Sequence, residues 1–106
     1  MKILTSLAEN KYFLGIAALI NSVVKNGSYV DKIVIGYRGS LPSWLPPLKP
    51  TEKGLSCILK SGLEMELVLL ASDLHMVHEK PKWFKYLTEV LEPNASEFFF
   101  FDFLKS

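Results

Sequence analysis

The stretch Lys2-Ile3-Leu4-Thr5-Ser6-Leu7-Ala8-Glu9-Asn10-Lys11-Tyr12-Phe13-Leu14-Gly15 decides the fold class, because its pattern changes partway along. Lys2 to Leu7 is short, apolar and bounded by polar residues, which predicts a strand. From Tyr12 onward the apolar residues Tyr12, Phe13, Ile16, Leu19, Ile20, Val23 and Val24 recur at helical spacing and form one wide stripe. A stripe of that width suits a helix lying on a sheet. Asn10 is placed to cap its start, and Gly27 after Asn26 to end it.

The pattern repeats further on. Ile33-Val34-Ile35 is a β-branched run that predicts a second, fully buried strand. Gly39 to Pro50 holds four prolines (Pro42, Pro46, Pro47 and Pro50), so it excludes one regular helix. Thr51 is expected to cap a short helix through Lys60, and Glu66 to Leu70 to form a third strand. Trp83, Phe84, Leu87 and Leu91 mark a helix that starts near Pro81, a residue suited to the first turn. Phe98 to Phe101 reads as a fourth strand, central because it is apolar on both faces, with Asp102 at its end. This alternation predicts an α/β fold: a Rossmann-like, mostly parallel sheet of about four strands with flanking helices. Ligands of such sheets gather outside the carboxyl ends of the strands.

Bulk properties set bounds on function. The 106 residues suffice for a single domain spanning residues 1–106, and 49% hydrophobic content argues for a folded state. A net charge of +1 gives no global field for nucleic acid. The run Phe13 to Val24 is too short for a membrane span, which needs about 20 apolar residues. Glu9, Asn10 and Lys11 interrupt the first apolar run too early for a signal-peptide core. The lone Cys57 makes no internal disulfide and fits a reducing, cytoplasmic compartment as a buried thiol. Asn94-Ala95-Ser96 matches a glycosylation acceptor and reads as chance without a secretory signal.

Three groups of residues bear on chemistry. At the turn from the first strand into the first helix, free backbone groups can meet a base, and Tyr12 can stack on it. Core packing is the plainer role for Tyr12. His75, His78, Lys80, Lys82 and Lys85 can meet a diphosphate at the sheet's mouth with help from a helix N-terminus, or form a solvated helix face. A metal role for His75 and His78 needs further ligands. Asp102 suits a ribose- or metal-binding acid, and equally an ordinary strand-end turn. Gly36-Tyr37-Arg38-Gly39 has two glycines but lacks the rest of a dinucleotide fingerprint.

In order and spacing, these pieces resemble the start of GT-A glycosyltransferases of the glycogenin and galactosyltransferase-like kind. Thr5 to Gly15 resembles their opening strand and turn, and Ala17-Ala18-Leu19 with Ser22-Val23 their first helix. His78-Glu79-Lys80-Pro81-Lys82-Trp83 resembles a later helix, and Phe98 to Asp102 the strand entering the Asp-x-Asp motif. The resemblance implies a partial GT-A fold, a nucleotide-sugar-binding half-domain that takes a UDP-sugar. Thr5, Ser6 and Ala8 would line the base and Tyr12 would stack on it. Lys80 would approach the diphosphate or ribose. Asp102 would be the first acid of Asp-x-Asp, a ligand of the family's manganese or magnesium ion. The chain reads Asp102-Phe103-Leu104, so the second acid is missing. The resemblance therefore implies a truncated transferase, inactive alone, that lacks a C-terminal half or takes a homo-oligomeric partner. A nucleotide-binding module without chemistry and a structural or interaction domain are the alternatives.

Overall fold

The computed structural model describes the backbone of residues 2–9, 13–25, 30–59, 62–70 and 76–100. Side chains are described over the same ranges except 13–14, 22–25 and 76–79. The elements in chain order are β1 (Lys2–Glu9), α1 (Phe13–Lys25), β2 (Lys32–Arg38), β3 (Lys49–Pro50), β4 (Leu55–Ile58), β5 (Glu64–Leu69), α2 (Met76–Tyr86) and β6 (Glu97–Phe100). A π-helical turn, Leu87–Leu91, continues α2.

The sheet has six strands in the order β3-β4-β5-β2-β1-β6. β1 pairs in parallel with β2 and β6, and β2 in parallel with β5. β4 runs antiparallel to β5, and β3 antiparallel to β4. The expected Rossmann-like, mostly parallel sheet of about four strands, the partial GT-A fold, is corrected here: the sheet is mixed, larger, and antiparallel at one end.

The correction originates in residues 49–58. Thr51 caps a tight turn there and not a helix. Its Oγ1 accepts hydrogen bonds from the backbone N–H of Gly54 (3.0 Å) and of Lys53 (3.3 Å), while Thr51 N–H donates to Gly54 O (2.8 Å). The chain reverses, and Leu55-Ser56-Cys57-Ile58 lies along β5 with Cys57 opposite Met65. Pro50 is tolerated because β3 is a two-residue edge strand. Gly54 is required by space: a Cβ there would meet Leu67 O at 2.2 Å. Backbone on both sides leaves neither group free to yield. Gly54→Ala should therefore destabilise the protein by about 1–3 kcal/mol, the cost of overpacking. Urea denaturation would show it, and an unchanged midpoint would mean that the turn relaxes freely.

Side chains of β1 alternate between two cores. Leu4 and Ala8 join Ile16 and Ile20 of α1 with Ile33, Ile35, Met65 and Leu67 on one face. Ile3 and Leu7 join Val34, Val68, Trp83, Leu87 and Leu91 on the other. Among the described residues each face thus carries one helix, and burial on both faces explains why the interiors of β1, β2 and β5 are mostly apolar, with Thr5, Ser6 and Glu66 the buried polar exceptions. Ile16, Leu19 and Ile20 come from the predicted stripe.

Two further expectations are corrected. α2 begins at Met76, and Pro81 lies inside the helix. Its missing N–H forgoes one intrahelical bond, which the helix tolerates with the ring exposed to solvent. Among the described residues β6 is the outermost strand and not a central one, and Phe99 is 42% exposed. Phe98 and Phe100 point to the α2 face and pack on its core. Four consecutive phenylalanines cannot report which of their faces is covered.

Candidate functional site

Four adjacent strands, β5-β2-β1-β6, run parallel, so their carboxyl ends share one edge of the sheet. β2 lies on one side of β1 and β6, much later in sequence, on the other. The chain direction of the layers therefore divides at β1, the position where an α/β sheet opens a crevice for ligands. Glu9, Arg38, Leu69 and Phe100 end the four strands.

The expected nucleotide-binding residues fall into two groups. Thr5, Ser6 and Ala8 lie within β1 and have no exposed surface. The Thr5 hydroxyl donates to Val34 O (2.7 Å) and accepts from the Trp83 indole N–H (2.7 Å). Its side chain is thus committed to joining β1, β2 and α2. Lys80 lies on α2, with its Nζ 5.0 Å from the centre of the Phe100 ring. Phe100 in turn pairs with Thr5 in the β1–β6 ladder and meets the Phe84 ring at 5.1 Å. The structure therefore brings Thr5 and Lys80 together around Phe100. Tyr12, His75 and Asp102 lie outside the described residues, as does the side chain of His78.

Trp83 organises this region. Its indole spreads over Gly36, where a Cβ would come within 2.8 Å of Leu7 Cδ2 and 3.0 Å of the indole ring. A glycine in the middle of a buried β-branched strand marks such a close approach. The Trp83–Thr5 bond fixes α2 along the sheet and so fixes Lys80, one turn earlier on the same helix.

A second polar group lies at the opposite edge, beneath the π turn. Lys32 Nζ approaches Glu92 Oε1 at 2.7 Å, Glu66 Oε1 at 3.3 Å and Glu64 Oε1 at 3.8 Å. Thr51 Oγ1 donates to Glu66 Oε2 (3.1 Å), and Lys53 Nζ donates to Leu91 O (2.8 Å) and Val90 O (3.3 Å). Burial acts to lower the pKa of Lys32, but its hydrogen bond to Glu92 and the charges of Glu66 and Glu92 prevail and raise it above the ordinary 10.5. Lys32, Thr51, Lys53, Glu66, Leu91 and Glu92 line an open cleft of about 350 Å³. Three glutamates share Lys32, and Lys53 holds two backbone carbonyls, so the group ties β2, β5, the β3–β4 turn and the end of α2 together. Sequence reading missed it because Lys32, Glu66 and Glu92 are far apart in the chain. The one local signal was a charged residue, Glu66, inside an otherwise apolar strand.

Among the described residues no group of three or more His, Cys, Asp or Glu side chains could hold an ion, and Asp102 lies outside them. Cys57 is a buried free thiol. Burial, with the Glu64 charge added, pushes its pKa above the ordinary 9.0. No described helix is long and apolar enough to cross a membrane. No protein-family model, curated protein or solved structure matches the chain.

Proposed function

We propose that the chain is a glycosyltransferase-like unit that binds a nucleotide sugar, in the first instance a UDP-sugar, at the carboxyl edge of β1 and β6. One observation carries this reading: β1 has a parallel neighbour on each side, and a cation, Lys80, lies over Phe100, the residue of the neighbouring strand paired with Thr5 of β1. The sequence resemblance to glycosyltransferases of the glycogenin kind points to the same edge. Since the Thr5 and Ser6 side chains are committed inside the sheet, recognition of the base falls to backbone groups beyond Ala8 and to Tyr12. Manganese or magnesium belongs to the resemblance alone, and no step here is routed through it. A cytoplasmic setting goes with this reading, since Cys57 is a buried, unreactive thiol.

Titration with UDP, followed by amide NMR, tests the proposal. UDP should bind weakly and shift amides of β1, β6 and the start of α2, with little gain from manganese. Tyr12→Ala should weaken binding with or without metal. The exposed Phe99 and Leu69 favour a second reading, an interaction domain whose partner covers apolar surface. Self-association without any nucleotide effect at millimolar UDP, in a folded chain, would establish that alternative and end the nucleotide reading.

A further inference from the structure

We propose that a pocket beside β4, at the antiparallel end of the sheet, binds a small apolar carboxylate through Lys49. The pocket has a volume of about 440 Å³. Pro46, Pro47, Cys57 and Ile58 give it apolar walls, and Lys49, Ser56 and Glu64 supply its polar groups. Sites for small ligands commonly enclose about 300–1,000 Å³ between walls of this kind. The pocket has a local origin. β3 is only Lys49 and Pro50, which pair with Ser56 and Leu55. Pro46 and Pro47 have no N–H with which to extend that ladder. Among the described residues Cys57 and Ile58 therefore have no strand partner on the β3 side, and Ile58 is left 59% exposed.

The strand register sets the charges. Lys49 stands opposite Ser56, and Ile58 opposite Glu64. Opposed residues share a face, as do residues two apart along a strand, so these four lie on one face of the sheet. Glu64 is engaged there. Its Oε2 accepts a hydrogen bond from the Ser56 hydroxyl (2.9 Å), and its Oε1 lies 3.8 Å from Lys32 Nζ. Among the described residues the Lys49 ammonium has no such partner, so the spare charge of the pocket is one cation beside an apolar wall. An ammonium is a compact point charge that takes a carboxylate in many orientations. Burial of an apolar body against Pro46, Pro47 and Ile58 supplies the rest of the affinity. A neutral ligand forgoes the charge, and an amine meets Lys49 as a like charge. Glu64 opens β5, so the pocket lies away from the carboxyl edge proposed for the nucleotide, and the two readings stand or fall separately.

The test is an amide NMR titration of the full chain with 3-phenylpropionate, its neutral amide, 3-phenylpropylamine and acetate. Lys49→Met and Ile58→Glu, each verified as folded by the same spectra, are titrated alongside. 3-Phenylpropionate should bind most tightly of the four and shift the amides of Leu48, Lys49 and residues 55–58. Lys49→Met keeps the stem of the side chain and should weaken 3-phenylpropionate about threefold to fivefold, the worth of a partly exposed charge pair, while leaving the neutral amide unchanged. Ile58→Glu sets a like charge against the carboxylate and should weaken it by at least about tenfold. Equal affinity of wild type and Lys49→Met for 3-phenylpropionate would overturn the proposal. So would 3-phenylpropylamine binding as tightly as the carboxylate, or acetate matching 3-phenylpropionate, since the apolar walls would then contribute nothing. Shifts confined to other parts of the sheet, or no binding at millimolar 3-phenylpropionate, would overturn it equally.

Discussion

Trp83→Ala should lower stability by about 3–5 kcal/mol, the range for truncating a large buried aromatic. Trp83 is 2% exposed and packs with Ile3, Leu7, Val34 and Val68 across three strands. Alanine would open a void over Gly36, and Gly36 has no side chain to fill it. The substitution also removes the N–H that the Thr5 hydroxyl accepts, although Thr5 still donates to Val34 O. Trp83→Phe separates the two contributions. It retains most of the volume and loses the hydrogen bond, for which about 1 kcal/mol is expected. Against a total stability of about 5–15 kcal/mol, the alanine variant is close to unfolding at physiological temperature. Urea denaturation of the three proteins decides the matter, and a wild-type midpoint for Trp83→Ala would mean that α2 does not anchor through this residue. Trp83→Phe should also weaken UDP binding slightly, because Lys80 is positioned through the same helix.

Sequence alone made β1, β2, β5 and both described helices legible, because their burial follows simple periods. Ile33-Val34-Ile35 is apolar on both faces and is buried on both. Ile16 and Ile20 lie one helical turn apart and meet the same core. Reading failed where local rules admit two outcomes. Thr51 caps a helix or a turn equally well, and only the approach of Gly54 to Leu67 O selects the turn. From that choice follow β3, β4 and the antiparallel end of the sheet. Pro81 suits a first turn but also sits within α2, since the contacts of Trp83 and Leu87 with the sheet hold the helix around it. Position within the sheet was the least legible property, as Phe99 shows: a strand apolar on both faces came to lie outermost among the described residues.

The candidate site was legible as an edge and not as a set of side chains. Thr5, Ser6 and Ala8 were singled out for their place at a strand-to-helix turn, but β1 extends to Glu9 and draws all three inside. No local pattern foretells that Thr5 will meet Trp83, a residue 78 positions away. Lys80 was read as one of five basic groups, and its selection depends on Phe100 arriving beside β1 through a long-range pairing.

Lys32→Met is the substitution with the other large expected effect, because it strands acidic charge at the opposite edge. Glu66 and Glu92 side chains are only 7% and 13% exposed, and Lys32 is the cation they share. Methionine fits the stem of Lys32 and offers nothing to either carboxylate. Breaking a buried pair from one side costs about 3–5 kcal/mol; partial exposure and water screening reduce the expectation here to about 2–4 kcal/mol. Adding Glu92→Gln to Lys32→Met should return part of the loss, because one stranded charge is then removed, and the double-mutant cycle measures that coupling. The pH dependence has a definite sign. A lysine whose pKa is raised on folding holds its proton more tightly in the native state, so its contribution is complete below the ordinary 10.5 and is lost as pH rises through the folded value. Wild-type stability should therefore fall more steeply than that of Lys32→Met as pH rises above the ordinary 10.5, and the gap between the two should narrow there. Urea midpoints at pH 7, 9 and 11 are the measurement. Parallel pH profiles for the two proteins would show that Lys32 is solvated in the native state and that β2, β5 and the π turn are held by packing alone.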